Sequence, residues 1–151
     1  MPSTLRTQRK PSPSNNHPVP LTIPLKVRSS RINGRGLFAD ANLPGRRKLG
    51  EISGELVRLP AARKKVEHSD KIYLIELSER EALECSTGNS FRYLNHSCAA
   101  NCYMRIIRNK VEVYTLRPVQ AGEELTVNYG ETPHRGGMRC ACGATGCKGL
   151  L

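Results

Sequence analysis

Three cysteines close the chain in the spacing Cys140-x-Cys142-x4-Cys147, with Gly143 and Gly146 letting the backbone wrap between them. Tetrahedral zinc takes four ligands, with thiolate sulfur at about 2.3 Å. Three donors so close together therefore demand a fourth from elsewhere in the chain. No other feature constrains the fold as much, because the tail must return to a distant segment and be fixed there. The available donors are Cys98, Cys102, Cys85, His96 and His134. If Cys98 supplies it, the metal staples the tail onto the polar stretch around that residue, which otherwise has little reason to carry a thiol. Free thiols are the alternative, but exposed thiols inside a cell are oxidation liabilities. A structural site of this kind contributes folding free energy, so chelation should detach the tail.

That stretch is Arg92-Tyr93-Leu94-Asn95-His96-Ser97-Cys98-Ala99-Ala100-Asn101. It is too polar for a core strand, and Tyr93-Leu94 with a cysteine is unusual for a surface loop. Further on comes Gly122-Glu123-Glu124-Leu125-Thr126-Val127-Asn128-Tyr129-Gly130. These two segments and the cysteine tail read as one site, with the rest as its scaffold.

The scaffold reads as many short strands. Leu21 to Arg28 alternates as a first strand, at an edge because Pro24 cannot donate to a ladder. Ser29 to Asn33 is a polar connection, and Gly34-Arg35-Gly36 a tight turn before the apolar Leu37-Phe38-Ala39. Leu49 to Val57 reads as one strand with a bend at Gly54. Pro60 fits the first turn of a short helix, Ala61 to Glu67. Lys71 to Leu77 is a strand and Ala82 to Cys85 a weak one. Cys102 to Arg108 and Val111 to Leu116 form a hairpin across Asn109-Lys110. Leu125 to Val127 is a short strand. With one helix and no βαβ alternation, the class is mainly β with small sheets.

At 151 residues the chain fits one domain. Residues 1–20, rich in Pro, Ser and Asn, cannot bury enough surface to offset their ordering entropy and read as a disordered basic tail. The first residues have no apolar core of a secretory signal, and no apolar run approaches the ~18 residues of a membrane span. The reading is an intracellular protein with reduced thiols and no membrane partner. Net charge is +11 and no acidic residue precedes Asp40, which favours polyanions or acidic surfaces as contacts. A zinc-stapled nucleic-acid-binding module is the reading this charge invites. Against it, aromatics are 5% of the chain and are not interleaved with basic residues as stacking platforms require. Nor does the tail have the paired spacing of a DNA-reading finger.

Asn95-His96-Ser97-Cys98 with Asn101, and Glu124-Leu125-Thr126-Val127-Asn128-Tyr129-Gly130, resemble the two signature motifs of SET-domain protein lysine methyltransferases. The terminal cysteines resemble their post-SET zinc motif. Gly34-Arg35-Gly36 falls where that family keeps its first cofactor loop, and Tyr73-Leu74-Ile75 matches its Tyr-Leu-Phe strand. The similarity runs in order from about Leu25 to Leu151. No pre-SET cysteine cluster precedes it, so the chain looks like a SET domain (21–132) followed by a post-SET segment (133–151).

The resemblance implies a β-clip of small sheets, a pseudoknot in which Asn95–Cys98 threads beneath the loop ending at Tyr129. It implies S-adenosylmethionine and zinc as cofactors and a protein lysine entering a narrow channel from the opposite face. Tyr129 is the implied catalytic residue. Gly34, Arg35, Gly36, Tyr73, Arg92, Asn95 and His96 are the implied cofactor contacts, and Cys98, Cys140, Cys142 and Cys147 the metal ligands. Ile52, Tyr93 and Val127 are assigned to the substrate channel. Where the family often has Phe or Tyr two residues before the catalytic tyrosine, Val127 stands; where a second channel Tyr is common, Ile52 stands. Fewer phenols imply a channel tolerant of more than one methyl. The substrate classes open to so basic an enzyme are the histones of nucleosomes, a ribosomal protein or a bacterial nucleoid-associated protein, in the nucleus or the bacterial cytoplasm accordingly, and dimerisation would complete the substrate groove. A SET fold that binds without catalysis is the remaining alternative, against which the intact Tyr129, Asn95 and His96 argue.

Overall fold

The computed structural model describes residues 22–151; the tail assigned to 1–20 lies outside them. The elements run β1 (Leu25–Ser29), β2 (Arg35–Ala39), β3 (Lys48–Ile52), β4 (Glu55–Arg58), α1 (Leu59–Val66), β5 (Leu74–Glu76), β6 (Glu81–Glu84), a 3-10 turn (Ser90–Tyr93), β7 (Asn95–His96), β8 (Cys102–Ile107), β9 (Lys110–Thr115) and β10 (Glu124–Val127). They form three small sheets, in the orders β1-β2-β10-β7, β3-β9-β8 and β4-β6-β5. The class is mainly β, as expected.

The sheets follow from alternation. In β9, Val111, Val113 and Thr115 are buried while the residues between them are not. Leu37 of β2 and Leu125 and Val127 of β10 join them in one core, at or below 1% exposure. The helix α1 packs apart, with Leu59 and Ala62 against Leu74 of β5 and Ala82 of β6. Its start needs no side-chain cap, because Pro60 lacks an N–H to satisfy.

Three local expectations change. Leu49–Val57 is not one bent strand but β3 and β4, in different sheets. The break falls at Ser53-Gly54, where a Cβ on Gly54 would sit 2.4 Å from the Glu84 carbonyl oxygen; only glycine lets the chain pass so close to β6. Gly36 does not close a turn but lies inside β2, where a Cβ would meet the Glu124 carboxylate at 2.2 Å. The β8–β9 hairpin turns through Arg108-Asn109, one residue earlier than expected, with Ile107 paired to Lys110. Both turn residues are left-handed, at φ 48° and 61°, as a two-residue type I′ loop requires.

One strand pair shapes the site. β7 runs parallel to β10, with Asn95 opposite Thr126 and His96 opposite Val127. The polar stretch therefore lies along the run that ends at Tyr129. The cysteine tail has no long strand; a bridge between Arg139 and Leu150 closes it, with the Leu151 N–H donating to Met138 O at 2.8 Å. Ahead of it, His134 Nε2 donates to Ser69 O at 2.9 Å and Arg135 pairs with Glu67. The tail is thereby tied to the turn after α1.

Candidate active site

The site begins with a clasp. The Ser30 hydroxyl lies 2.8 and 2.9 Å from the two Glu124 carboxylate oxygens. Asn95 Nδ2 lies 2.7 Å from Glu124 Oε1 and 3.1 Å from Ser30 Oγ, and reaches the carbonyls of Asn33 and Arg35 at 3.3 and 3.1 Å. The amide side of Asn95 is thus spent on the 30–35 loop, leaving its oxygen as the group available to a ligand. Asn101 performs a related task on β10, donating to Glu124 O at 2.8 Å and accepting the Thr126 N–H at 2.9 Å.

Two cavities meet behind this clasp. The larger, about 850 Å³, has Gly34, Arg35, Tyr93, Asn95, His96 and Cys140 among its walls. The smaller, about 290 Å³, is lined by apolar side chains including Ile52, Leu74, Phe91, Leu94 and Val127. Ile72, Tyr73, Arg92 and Tyr129 line both, so the two spaces join at two phenols. The backbone of Tyr73 is fixed by Cys85, whose N–H and thiol reach Tyr73 O at 2.8 and 3.0 Å. Burial pushes the Cys85 thiol up to about 11, so this channel-wall sulfur is a protonated donor.

Tyr129 is held at both ends by the polar stretch. Its hydroxyl donates to Leu94 O at 2.6 Å, and its N–H donates to His96 Nδ1 at 3.0 Å. Burial first, then the nearby Cys85 and Tyr73, push its phenol far above the usual tyrosine range. The hydroxyl therefore stays protonated at neutral pH, with its lone pairs free toward the junction. The His96 ring packs edge-on against Tyr129 at 5.4 Å, and burial lowers its pKa, with Lys148 adding to the effect, which keeps the imidazole neutral.

The four cysteines singled out from sequence come together. The sulfurs of Cys98, Cys140, Cys142 and Cys147 lie within 4.8 Å of one another, and Cys98 and Cys140 are 3.9 Å apart. A tetrahedron with ligands at about 2.3 Å has edges of roughly 3.8 Å, so the cluster fits a zinc ion. The other two cysteines, Cys85 and Cys102, are buried elsewhere. Main-chain donors point at the sulfurs: Cys98 N–H at Cys142 (3.5 Å), Lys148 N–H at Cys98 (3.5 Å) and Gly149 N–H at Cys147 (3.4 Å). The N–H groups of Cys98 and Ala144 pull the Cys142 thiol down to about 6. Burial and the neighbouring sulfurs push Cys140 up to about 12.

The residues assigned from sequence to cofactor, channel and catalysis are distributed over the two cavities, all but Gly36. Gly34, Arg35, Tyr73, Arg92, Asn95 and His96 line the larger cavity, while Ile52 and Val127 line the smaller. Gly36 lines neither, since Glu124 stands against it. Tyr93, expected in the channel, faces the larger cavity instead. Its ring lies under the guanidiniums of Arg92 (4.8 Å) and Arg35 (5.2 Å), and Arg92 Nη2 donates to its hydroxyl at 2.8 Å. Arg92 also donates to Ser86 O at 2.8 Å. The Ser30–Glu124 contact was missed; it spans 94 residues, and no local pattern announces such a pair.

The SET domain family model matches residues 34–130. An H3 lysine-4 specific histone-lysine N-methyltransferase of Schizosaccharomyces pombe is 37% identical over 132 residues, 81% of this chain and 14% of that protein. A Candida albicans protein of the same description is 31% identical over 145 residues, 85% of this chain and 14% of that protein. The histone-lysine N-methyltransferase trithorax of Drosophila virilis is 28% identical over 131 residues, 81% of this chain and 3% of that protein. The chain thus spans a seventh or less of these relatives' length. With the Asn95–His96 strand paired to Thr126–Val127 and the matched region covering most of the chain, the protein belongs to the SET-domain family.

Proposed function

We propose that the protein is a protein-lysine N-methyltransferase that uses S-adenosylmethionine, with Tyr129 as the catalytic residue. The observation that carries this is the meeting of a large polar cavity and a narrow apolar one at Tyr73 and Tyr129. When bound, S-adenosylmethionine supplies an electrophilic methyl group on a positively charged sulfur. Asn95 Oδ1 would accept from the ligand, and Arg35 and Arg92 would attract its carboxylate. His96 has both ring nitrogens engaged within the protein, so its share of the contact is through backbone and ring edge. Zinc, held by Cys98, Cys140, Cys142 and Cys147, would fix the tail that supplies Met138, Cys140 and Leu151 to the cavity wall.

The chemistry needs a neutral amine. Lysine has a reference pKa near 10.4, and the walls formed by Ile52, Phe91, Leu94 and Val127 favour loss of its proton by desolvation. Since the Tyr129 hydroxyl gives its hydrogen to Leu94 O, its oxygen can only accept. It would take a hydrogen bond from the entering amine and turn the nitrogen lone pair toward the larger cavity. Alignment of reacting atoms at about 3–3.5 Å is the contribution such a site makes to rate; no general base is required of Tyr129.

The substrate proposed is a histone, the class named in the relatives' descriptions, which would place the protein on chromatin. The small side chains Val127 and Ile52 in the channel favour addition of more than one methyl. The test is incubation with methyl-labelled S-adenosylmethionine and a panel of histones and other basic proteins. Label should enter lysine and fall about 100-fold or more in Tyr129→Phe, with cofactor binding retained by calorimetry. Cofactor binding with no transfer to any protein would favour a catalytically inactive binder. Retention of nucleic acid without cofactor binding would favour the basic-module reading.

A further inference from the structure

We propose that His96 is a positioning residue that couples the four-cysteine site to the backbone of Tyr129. This rests on the reading of that cluster as a zinc site. The Tyr129 N–H lies 3.0 Å from His96 Nδ1, and an amide N–H can only donate, so Nδ1 must be the lone-pair nitrogen. A neutral imidazole carries one proton, which is then on Nε2. That nitrogen lies 3.4 Å from Cys98 Sγ, one of the four clustered sulfurs. The ring thus accepts from the segment that carries the phenol and donates to a metal-ligating sulfur.

The alternatives for holding these groups are few. The β7–β10 ladder ends at His96 and Val127, with Ser97 N–H adding one more bond to Val127 O at 3.1 Å. Tyr129 lies two residues past that end, and its N–H is bonded to the imidazole rather than to a strand. The ring is 6% exposed and packed edge-on against the Tyr129 ring, so it cannot swing aside without disturbing its partner. A metal-bound thiolate is an acceptor held at a fixed place, whereas a sulfur freed from the metal can move away from the ring. Partners of this kind, one bond removed from the ion, orient the ligand and raise metal affinity. Here the same ring also sets the entry of the chain into Tyr129.

Two substitutions split the two bonds. His96→Asn keeps an acceptor near Nδ1 but has no donor reaching Cys98; His96→Gln places its amide near Nε2 but leaves the Tyr129 N–H without a partner. Zinc affinity by chelator competition, on protein checked for folding by circular dichroism, should fall about 10- to 100-fold in His96→Asn and stay near wild type in His96→Gln. The Tyr129 amide resonance, followed by nitrogen-edited NMR, should shift in His96→Gln and hold in metal-loaded His96→Asn. In the wild type, stripping zinc should move that resonance; in both variants it should not. Zinc affinity in His96→Asn within twofold of wild type, or a Tyr129 amide that answers zinc removal equally with and without His96, would overturn the proposal. If the wild-type protein takes up no zinc, the metal reading itself fails and the coupling falls with it.

Discussion

Replacing Asn101 with alanine should be among the most destabilising single changes outside the hydrophobic core. The side chain is 4% exposed and both ends of its carboxamide are used on β10: Nδ2 donates to Glu124 O at 2.8 Å and Oδ1 accepts from Thr126 N–H at 2.9 Å. The carboxamide stands where a neighbouring strand's backbone would be. Alanine keeps the main-chain bond from Leu116 N–H to residue 101 O but leaves two main-chain groups without partners. Each such loss costs about 1–3 kcal/mol. Water entering the space would recover part of this, so the expected cost is about 3 kcal/mol, a large share of the 5–15 kcal/mol typical of a domain. At about 2–4 °C per kcal/mol for a chain of this size, Tm should drop by roughly 6–12 °C. The assay is thermal unfolding followed by circular dichroism on zinc-loaded protein. Asn101→Asp serves as a control that keeps the acceptor for Thr126 but sets a carboxylate against the Glu124 carbonyl, and should gain little over alanine. A shift below about 2 °C for Asn101→Ala would refute the reasoning, because it would mean β10 is held by its strand partners alone.

Three other outcomes follow from the same geometry. Chelation should free residues 133–151 to limited proteolysis and abolish cofactor binding, since Met138, Cys140 and Leu151 form part of the larger cavity; a tail equally resistant with and without metal would count against the zinc staple. Val127→Phe, which fills the channel near Tyr129, should shift the product toward monomethyl-lysine by mass spectrometry, at about 1–3 kcal/mol of overpacking; strictly monomethyl product from the unmodified protein would remove the argument from channel width. Alkaline stability should fall from about pH 9 upward. Burial pushes the Cys102 thiol from 9.0 up to about 12 and Cys85 from 9.0 up to about 11. The folded state therefore holds protons that the unfolded chain releases, and each thiol removes about 1.4 kcal/mol per pH unit across its window. Cys102→Ala should flatten the decline in urea-unfolding stability between pH 9 and 11, and an unchanged slope would show that this thiol is not the source.

Much of the site was legible because its chemistry is written in residue types that have few other uses. Three thiols in Cys140–Cys147 needed a fourth ligand, and the structure brings Cys98 to them. The polar stretch around Asn95 and the run ending at Tyr129 were paired as one site, and they lie side by side in parallel strands. What was misplaced depends on side-chain packing across the chain. The family resemblance assigns Tyr93 to the channel, whereas its ring lies in the wall of the larger cavity, against the guanidiniums of Arg35 and Arg92. Gly36 was read as a turn residue; its small size serves instead to admit the Glu124 carboxylate.

The sequence by itself determined the strand-rich class, through two-residue alternation such as Val111, Val113 and Thr115, and three of the four thiols of the candidate metal cluster, through their spacing; which donor joins them was left to the fold. Only the tertiary structure decided where Leu49–Val57 breaks, which atom of Asn95 remains for a ligand, and that His96 faces a sulfur on one side and a backbone amide on the other. The reason is physical. Periodicity and ligand chemistry act within a few residues, where sequence order is spatial order. Hydrogen bonds such as Ser30 to Glu124 join atoms 94 residues apart, and their geometry exists only once the sheets have closed.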